Sequence, residues 1–556
     1  MLEFEGSMND DEDEVDFVCV GSGVSGTAGA VVAARLGLET TLLEKEDALG
    51  GATVDSFGIL FVPNNHLQDS DEVGDSLEDA RKYMYWMGAG LESSEHVENY
   101  LRFAPVALRY FADEVGIPFY IVKNLADHHY PKAPGTRLSG RMLQVQPFAT
   151  ESLGPFRHLL AHSRYIERAT FEEVSLWGGR FGQDNWDAEV IKEREAHDVR
   201  TWGAGLAGHF LSAAISSGVR IMNNASLERL IVKDGAISGV LYVRDGRRTL
   251  LRVRKGVLLG TGSASKNHHL MHWIDNNRTH ELGIDSPIPG SWTGEGLGAA
   301  LEHGAAMAVR YGEARYASLV SRSEKNVEGK PWLLSLRDFG APHAVIVNRK
   351  GLRFTNESDF REQAGRELLA FDSDAFEYTN DPCYFVFDQT YVDEVGLGTN
   401  RRGSPVPDWI VRGDTVVELA TKLGVDPVGL EGTIERFNEF CDRNSDTDFH
   451  LGEIPFYQAI GAGTQNAFPN PQLGKLIRSP FYGLELRAGS HGSPGGLVTN
   501  LYGQVIHWSG EPIEGLYASG LVAATLWHGV GYNAGFHLTG GFTYSYLAAL
   551  HAAGQV

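Results

Sequence analysis

The first regular order of apolar and polar positions along the chain lies at residues 15–45. The run VDFVCV is apolar at all but one position, GSGVSG interrupts it, an Ala- and Val-rich stretch follows, and a second apolar run closes on TTLLEK. This order predicts a strand, a tight turn, a helix and a second strand. A third apolar run begins at Gly256 and ends in glycines at Gly260 and Gly262, predicting another strand that runs into a turn. Ahead of the first strand, Asp10, Asp11, Glu12, Asp13 and Glu14 form a run too polar and self-repelling to fold. Residues 1–14 are therefore expected to be a disordered acidic tail, with the fold starting at Val15.

The spacing of the first turn brings in chemistry. Gly21 permits the tight turn, Gly23 lets backbone approach a pyrophosphate, and Gly26 lets the helix pack closely on the strand. Phosphates then sit at the helix N-terminus, where free N–H groups and the helix dipole favour negative charge. Glu44 ends the second strand, where a carboxylate can accept hydrogen bonds from an adenosine ribose. Directly after it come Gly50, Gly51, Ala52 and Thr53, a set of backbone donors with a small hydroxyl residue. A nicotinamide domain has no need of this second turn, so the expected dinucleotide is FAD.

Length and charge narrow the remaining possibilities. A chain of 556 residues exceeds what one hydrophobic core usually supports, so two units of unequal size are expected. A formal charge of −24 argues against nucleic acid or an anionic lipid surface and for a neutral or hydrophobic small ligand. No stretch approaches the roughly 18 uninterrupted apolar residues of a membrane span, so a soluble protein is expected. Cys19, Cys383 and Cys441 lie far apart, which gives neither a disulfide framework nor a metal-site spacing and fits a reducing cytoplasm.

Further motifs carry a resemblance over nearly the whole chain. They are Gly50 to Gly58 (GGATVDSFG) with Val62 to Asn65, Thr293 to Gly296 (TGEG), Ile346 to Glu357 (IVNRKGLRFTNE), Phe387 to Gln389, Gly495 to Thr499, and Gly515 to Gly520 (GLYASG). In this order and spacing the chain resembles the fumarate-reductase-like flavoproteins and, among them, the 3-ketosteroid dehydrogenases. The resemblance implies an α/β fold, with a Rossmann-like FAD-binding domain built from residues 15–314 and 481–556 and an α+β catalytic cap inserted at 315–480. It extends the expected FAD contacts to Ser25, Lys45, Gly58, Leu227, Gly262, Gly520 and Leu538. Covalent members carry a histidine after the second-strand glycines. Here that neighbourhood is Ala52, Thr53 and Val54, so FAD is expected to bind non-covalently.

By the same resemblance, Tyr532 takes the place of the tyrosine that contacts the substrate carbonyl in the steroid enzymes and of the carboxylate-binding arginine in fumarate reductases. A phenol gives one hydrogen bond to a neutral oxygen, where a guanidinium would grip a carboxylate by two, so a ketone is favoured. Gly535 is expected to add a backbone donor. Arg361 departs from the steroid pattern, which has a tyrosine base there, and follows the reductase pattern, in which an arginine delivers a proton. It suits equally a carboxylate on the substrate. Tyr130 falls in a Pro-containing loop expected to line the pocket, where His128 and His129 are further candidates for the base; His491 lies next to the position of the substrate-binding histidine of fumarate reductases, and His537 falls in a segment expected to approach the flavin.

The resemblance thus implies a dehydrogenase that introduces a double bond α,β to the carbonyl of a cyclic ketone, either a 3-ketosteroid or a smaller ring such as cyclohexanone or 4-oxocyclohexanecarboxylate. Two alternatives remain open. One is an ene-reductase saturating an activated C=C with Arg361 as proton donor; the other is a flavoprotein that binds a ligand without turnover. The motifs name no electron acceptor, and no metal-binding pattern is present.

Overall fold

The computed structural model describes residues 13–68, 74–163, 168–180, 182–274, 291–309, 318–321, 339–359, 362–398, 402–461, 469–489, 492–493, 495–524, 526–527, 529 and 531–556. The predicted strand, turn, helix and strand are present as Asp13–Val20, Val24–Arg35 and Thr40–Leu43. Phe17 to Val20 pair in parallel with Thr40 to Leu43 on one side and with the end of the strand Arg247–Leu259 on the other. Arg220–Met222 adds in parallel beyond Thr41 to Leu43. Parallel strands need coverage on both faces, and the helix Val24–Arg35 supplies part of it with residues 24–33 all buried. A helix apolar on every side belongs inside a domain.

The first strand starts two residues earlier than expected. Asp13 and Glu14 pair in register with Leu251 and Arg252, and their charges are met by Arg220 at 2.6 Å and Arg254 at 2.8 Å. The acidic run is thus partly neutralised on the sheet, which lets its last two residues extend the strand.

The C-terminal segment completes the same sheet. Pro512–Ala518 pairs in parallel with Val257 to Leu259, and the helix Phe536–Ala552 packs against Val24–Arg35. Small residues allow this contact: a Cβ on Gly29 would lie 3.5 Å from that of Ser545. An antiparallel extension, Ala225–Lys233, Ala236–Arg244 and Arg247–Leu259, continues the sheet on the far side.

A second sheet forms the inserted cap. Ala344–Asn348 pairs antiparallel with Cys383–Asp388, which pairs with Phe481–Gly489, which in turn pairs with Val411–Gly413 and Ser318–Ser321. One face is covered by the helices Val416–Leu423 and Pro427–Arg443, through Leu419, Leu430, Ile434 and Phe437. The expected boundary at 480/481 therefore falls too early, because residues 481–489 are a cap strand bonded along the length of Cys383–Asp388. Among the described residues no helix is long and apolar enough to cross a membrane.

Close packing at Gly26 holds the first turn against the sheet, since an added Cβ would come within 1.8 Å of the Gly21 carbonyl oxygen. Gly26→Val is expected to lower the melting temperature by several degrees and to yield protein depleted in flavin, as measured by thermal denaturation and by the visible absorbance of the purified variant. A variant with wild-type melting and flavin content would contradict this packing.

Candidate functional site

Two glycine turns meet backbone to backbone at the ends of the parallel strands. Gly21 has φ +102° and an added Cβ would stand 2.5 Å from Gly260 O, while one on Gly260 would stand 2.8 Å from Gly26 N. Beside them Glu44 is held rather than free: one carboxylate oxygen accepts from Ser22 N at 2.8 Å and Ser22 Oγ at 2.6 Å, the other from Glu46 N at 3.0 Å. Gly50 N donates to Ser22 Oγ at 2.9 Å, and Val24 N donates to Thr53 Oγ1 at 2.9 Å. These bonds fasten the second turn, Gly50 to Thr53, against the first. Gly50 and Gly51 both have positive φ, the conformation a glycine reaches without strain.

The cradle suits a dinucleotide. The helix Val24–Arg35 starts from a glycine cap at Gly23 with its first N–H, that of Val24, held by Thr53 Oγ1, so phosphate would meet the rest of the first turn. Thr261 Oγ1, between the glycines of the second cradle wall, is buried without a protein partner, and a buried hydroxyl in that state costs free energy unless a ligand meets it.

The other expected FAD contacts divide. Gly520 closes on Ser25, where an added Cβ would lie 2.4 Å from Ser25 Oγ. Lys45 Nζ donates to Thr293 Oγ1 at 2.5 Å and pairs with Glu295 at 2.8 Å, joining the TGEG segment to the second strand. Gly58 packs on the Trp202 backbone and Gly262 on the Trp292 ring. Ala52 is half-buried in the turn Gly51–Thr53. Leu227 sits in a core cluster with Val15 and Val18, and Leu538 is half-buried on the first turn of Phe536–Ala552.

The candidate catalytic side is built from two loops tied by one amide. Asn533, fully buried, accepts from Tyr83 Oη at 2.7 Å and from His128 N at 3.0 Å, while its Nδ2 donates to Ala534 O at 3.0 Å. The neighbouring Tyr532 is half-buried and its carbonyl oxygen is 3.2 Å from His129 Nε2. Its ring centroid lies 5.4 Å from that of His128 and 5.6 Å from that of His537. Tyr130 is half-buried on the same loop, its N–H donating to Asp127 O at 3.1 Å. Gly535 follows with φ +97°, and an added Cβ would stand 2.5 Å from Phe61 N.

The cap closes over His128. Phe456 meets its ring edge-on at 3.9 Å, Tyr457 lies at 5.2 Å, and Tyr457 Oη donates to Asp359 Oδ1 at 2.9 Å. Arg361 and His491 lie outside the described residues.

Beneath this loop runs a buried charge network. Arg141 has no exposed side-chain surface and bonds Asp75 at 2.6 Å and Asp127 at 2.8 Å. Burial pushes the Asp127 carboxyl up to about 6, the Arg141 guanidinium opposing it, whereas Asp75 is held below the usual range by its bonds to Arg141 against the pull of burial. Sequence reasoning missed Asn533, Arg141, Tyr457 and Asp359. No motif marks them, since each acts through contacts between segments remote in the chain.

A family model described as FAD binding domain matches residues 16–538. A 3-oxosteroid 1-dehydrogenase of Mycolicibacterium smegmatis is 31% identical, the match covering 97% of each chain. A 4-oxocyclohexanecarboxylate 2-dehydrogenase of Sinomonas cyclohexanicum is 32% identical over 97% of this chain and 93% of that one. The crystal structure of 3-ketosteroid Δ1-dehydrogenase from Sterolibacterium denitrificans, in complex with 1,4-androstadiene-3,17-dione, superposes with a TM-score of 0.84 at 25% identity, covering 98% of this chain and all of that one.

Removing the buried guanidinium would leave Asp75 and Asp127 without their shared partner. Arg141→Ala is expected to cost about 3–5 kcal/mol of stability, as loss of one member of a buried ion network does, read by urea denaturation at pH 7. A loss under about 1 kcal/mol, no more than an exposed ion pair is worth, would show that the network does not support the loop.

Proposed function

The chain belongs to the FAD-binding flavoprotein family that includes the 3-oxosteroid dehydrogenases, and from that premise we propose that it removes hydrogen across the Cα–Cβ bond of a cyclic ketone to leave an enone. The observation that carries this reading is the placement of Tyr532. It stands on a loop clamped to the His128 loop, whose imidazole meets Phe456, and three residues before Gly535, where the chain turns into Phe536–Ala552 against Phe61.

FAD, held non-covalently by the cradle around Gly21, Gly23, Gly26, Glu44 and Gly50 to Thr53, supplies the hydride acceptor when bound. The protein's own part is to make the α-proton acidic. Tyr532 donates a hydrogen bond to the ketone oxygen, where negative charge grows as the α-proton leaves, and a donor fixed in place before the reaction has no reorganisation to undergo. The Gly535 main chain lies at the same end of the loop as a second donor. A neutral base above the α-carbon takes the proton. Phe456 and Tyr457 cover this end of the site and exclude water, which strengthens each of these electrostatic contacts.

Arg361 suits a carboxylate on the substrate, which a guanidinium binds in two-pronged fashion. A ring ketone bearing an acid, such as 4-oxocyclohexanecarboxylate, would engage Tyr532 through its ketone and Arg361 through its carboxylate.

Tyr532→Phe removes the phenol while keeping the ring. Turnover is expected to fall by roughly 10²–10³, as for loss of one oxyanion donor, with FAD content unchanged by absorbance. Unchanged turnover would remove Tyr532 from the chemistry.

A further inference from the structure

We propose that Tyr83 is the positioning residue for Tyr532, and that the helix Leu77–Gly88, which carries it, is the bed that aims the phenol at the ketone. This rests on the reading of Tyr532 as the group that holds the ketone oxygen. A donor stabilises growing negative charge only as far as its direction is fixed beforehand, and a misplacement of about 1 Å can cost roughly 10²-fold in rate. Tyr532 lies in a stretch that is neither helix nor strand. Its direction is therefore set by whatever grips its neighbours.

The sequence builds that grip into one helix face. In Leu77–Gly88 the buried residues are Ala80, Tyr83, Met84, Met87 and Gly88, the three-and-four spacing of a single apolar stripe. Tyr83 and Met87, one turn apart on that stripe, meet the residues on either side of Tyr532. Tyr83 Oη donates to Asn533 Oδ1 at 2.7 Å. On the other side, a Cβ added to Gly531 would stand 2.6 Å from the Met87 Cβ and carbonyl oxygen, so main chain lies directly against the helix there. Two residues further back, one added to Gly529 would stand 2.2 Å from Gly88 O. Tyr532, between its two fixed neighbours, directs its ring to His128 and His537, with centroids 5.4 and 5.6 Å away.

Tyr83 bears on the same segment by two further contacts. Its ring lies edge-on to His129 at 6.1 Å, and His129 Nε2 is 3.2 Å from the Tyr532 carbonyl oxygen. It also meets Phe61 at 6.1 Å, and Gly535 packs on the Phe61 main chain. Tyr83 is fully buried, and a phenylalanine would fill the same space. Its hydroxyl adds to that packing a bond to the residue next to the ketone donor.

A double-mutant cycle on ketone oxidation tests the assignment. Wild-type holoenzyme, Tyr83→Phe, Tyr532→Phe and the double variant are mixed anaerobically with cyclohexanone, 4-oxocyclohexanecarboxylate and a saturated 3-ketosteroid, and flavin bleaching is followed across ketone concentration. Tyr83→Phe removes one bond yet leaves Asn533 Oδ1 with the His128 N–H at 3.0 Å, so the amide oxygen is not orphaned. Its bleaching rate at saturating ketone is expected to fall about tenfold, with FAD content at the wild-type level. The half-saturating ketone concentration should stay within about twofold of wild type, because the Tyr532 bond strengthens in the transition state rather than in the bound ketone. In the Tyr532→Phe background the same change should cost less than about twofold, since the phenol through which it acts is already gone. Gly531→Ala, which presses on Met87 from the other side, should repeat this pattern, and it takes the place of Tyr83→Phe if that variant binds less flavin.

An equal loss in both backgrounds would show a general loosening of the site, and an unchanged rate in flavin-replete Tyr83→Phe would show that the phenol is aimed without the Tyr83 hydroxyl; either result overturns the proposal. Wild type that none of the three ketones bleaches, or a Tyr532→Phe variant that bleaches at the wild-type rate, overturns the Tyr532 reading on which the proposal rests.

Discussion

One buried amide fixes how the Tyr532 loop and the His128 loop meet. Asn533 bonds Tyr83 and the main chain of His128 through a single oxygen, so the C-terminal loop carrying Tyr532 and the distant loop carrying His128 cannot move apart without leaving buried polar groups unsatisfied. Such a loss costs about 1–3 kcal/mol for each orphaned group, which keeps the two loops in one arrangement. The ion network under Asp127 and the ring of Phe456 above His128 add support from below and above.

The division of the chain follows from the same need. A flavin must lie at the ends of parallel strands, where glycine turns open onto helix N-termini, and those strands come from both ends of the sequence, Asp13–Val20 and Pro512–Ala518. The inserted unit brings Tyr457, bonded to Asp359, against His128 from outside. The Tyr532 loop, the His128 loop and the Phe456–Tyr457 segment thus come from three stretches of chain that meet only in the fold, and such domain junctions are the common location for small-molecule pockets.

Much of the cofactor end was legible in the sequence because its requirements are local. Gly21, Gly23, Gly26 and Glu44 lie within one strand–helix–strand unit, and steric need for glycine shows directly in their spacing. The family motifs extended this to the inserted cap and to Tyr532. Boundaries were less legible. The strand Phe481–Gly489 carries no sign of which sheet it joins, and Asp13 and Glu14 join a strand by pairing with Leu251 and Arg252, far away in the chain, beside Arg220 and Arg254. The supporting residues were hidden for the same reason. Nothing near Asn533 in sequence indicates that its oxygen serves Tyr83, and a buried arginine such as Arg141 reads as surface until its carboxylates are placed. In the Asp127 to Pro131 loop three adjacent ring-bearing residues were candidates, and only the fold shows that His128 packs between Phe456 and Tyr532 while His129 meets the Tyr532 carbonyl.

The central claim is that this protein oxidises a cyclic ketone at the Cα–Cβ bond. Anaerobic mixing of the oxidised holoenzyme with cyclohexanone, 4-oxocyclohexanecarboxylate and a saturated 3-ketosteroid, followed by visible absorbance, tests it most directly. The account predicts that at least one ketone bleaches the flavin, with the corresponding enone as product. An oxidised spectrum that persists with all three, together with reoxidation of the reduced protein by an enone, would contradict it and reverse the direction of the reaction.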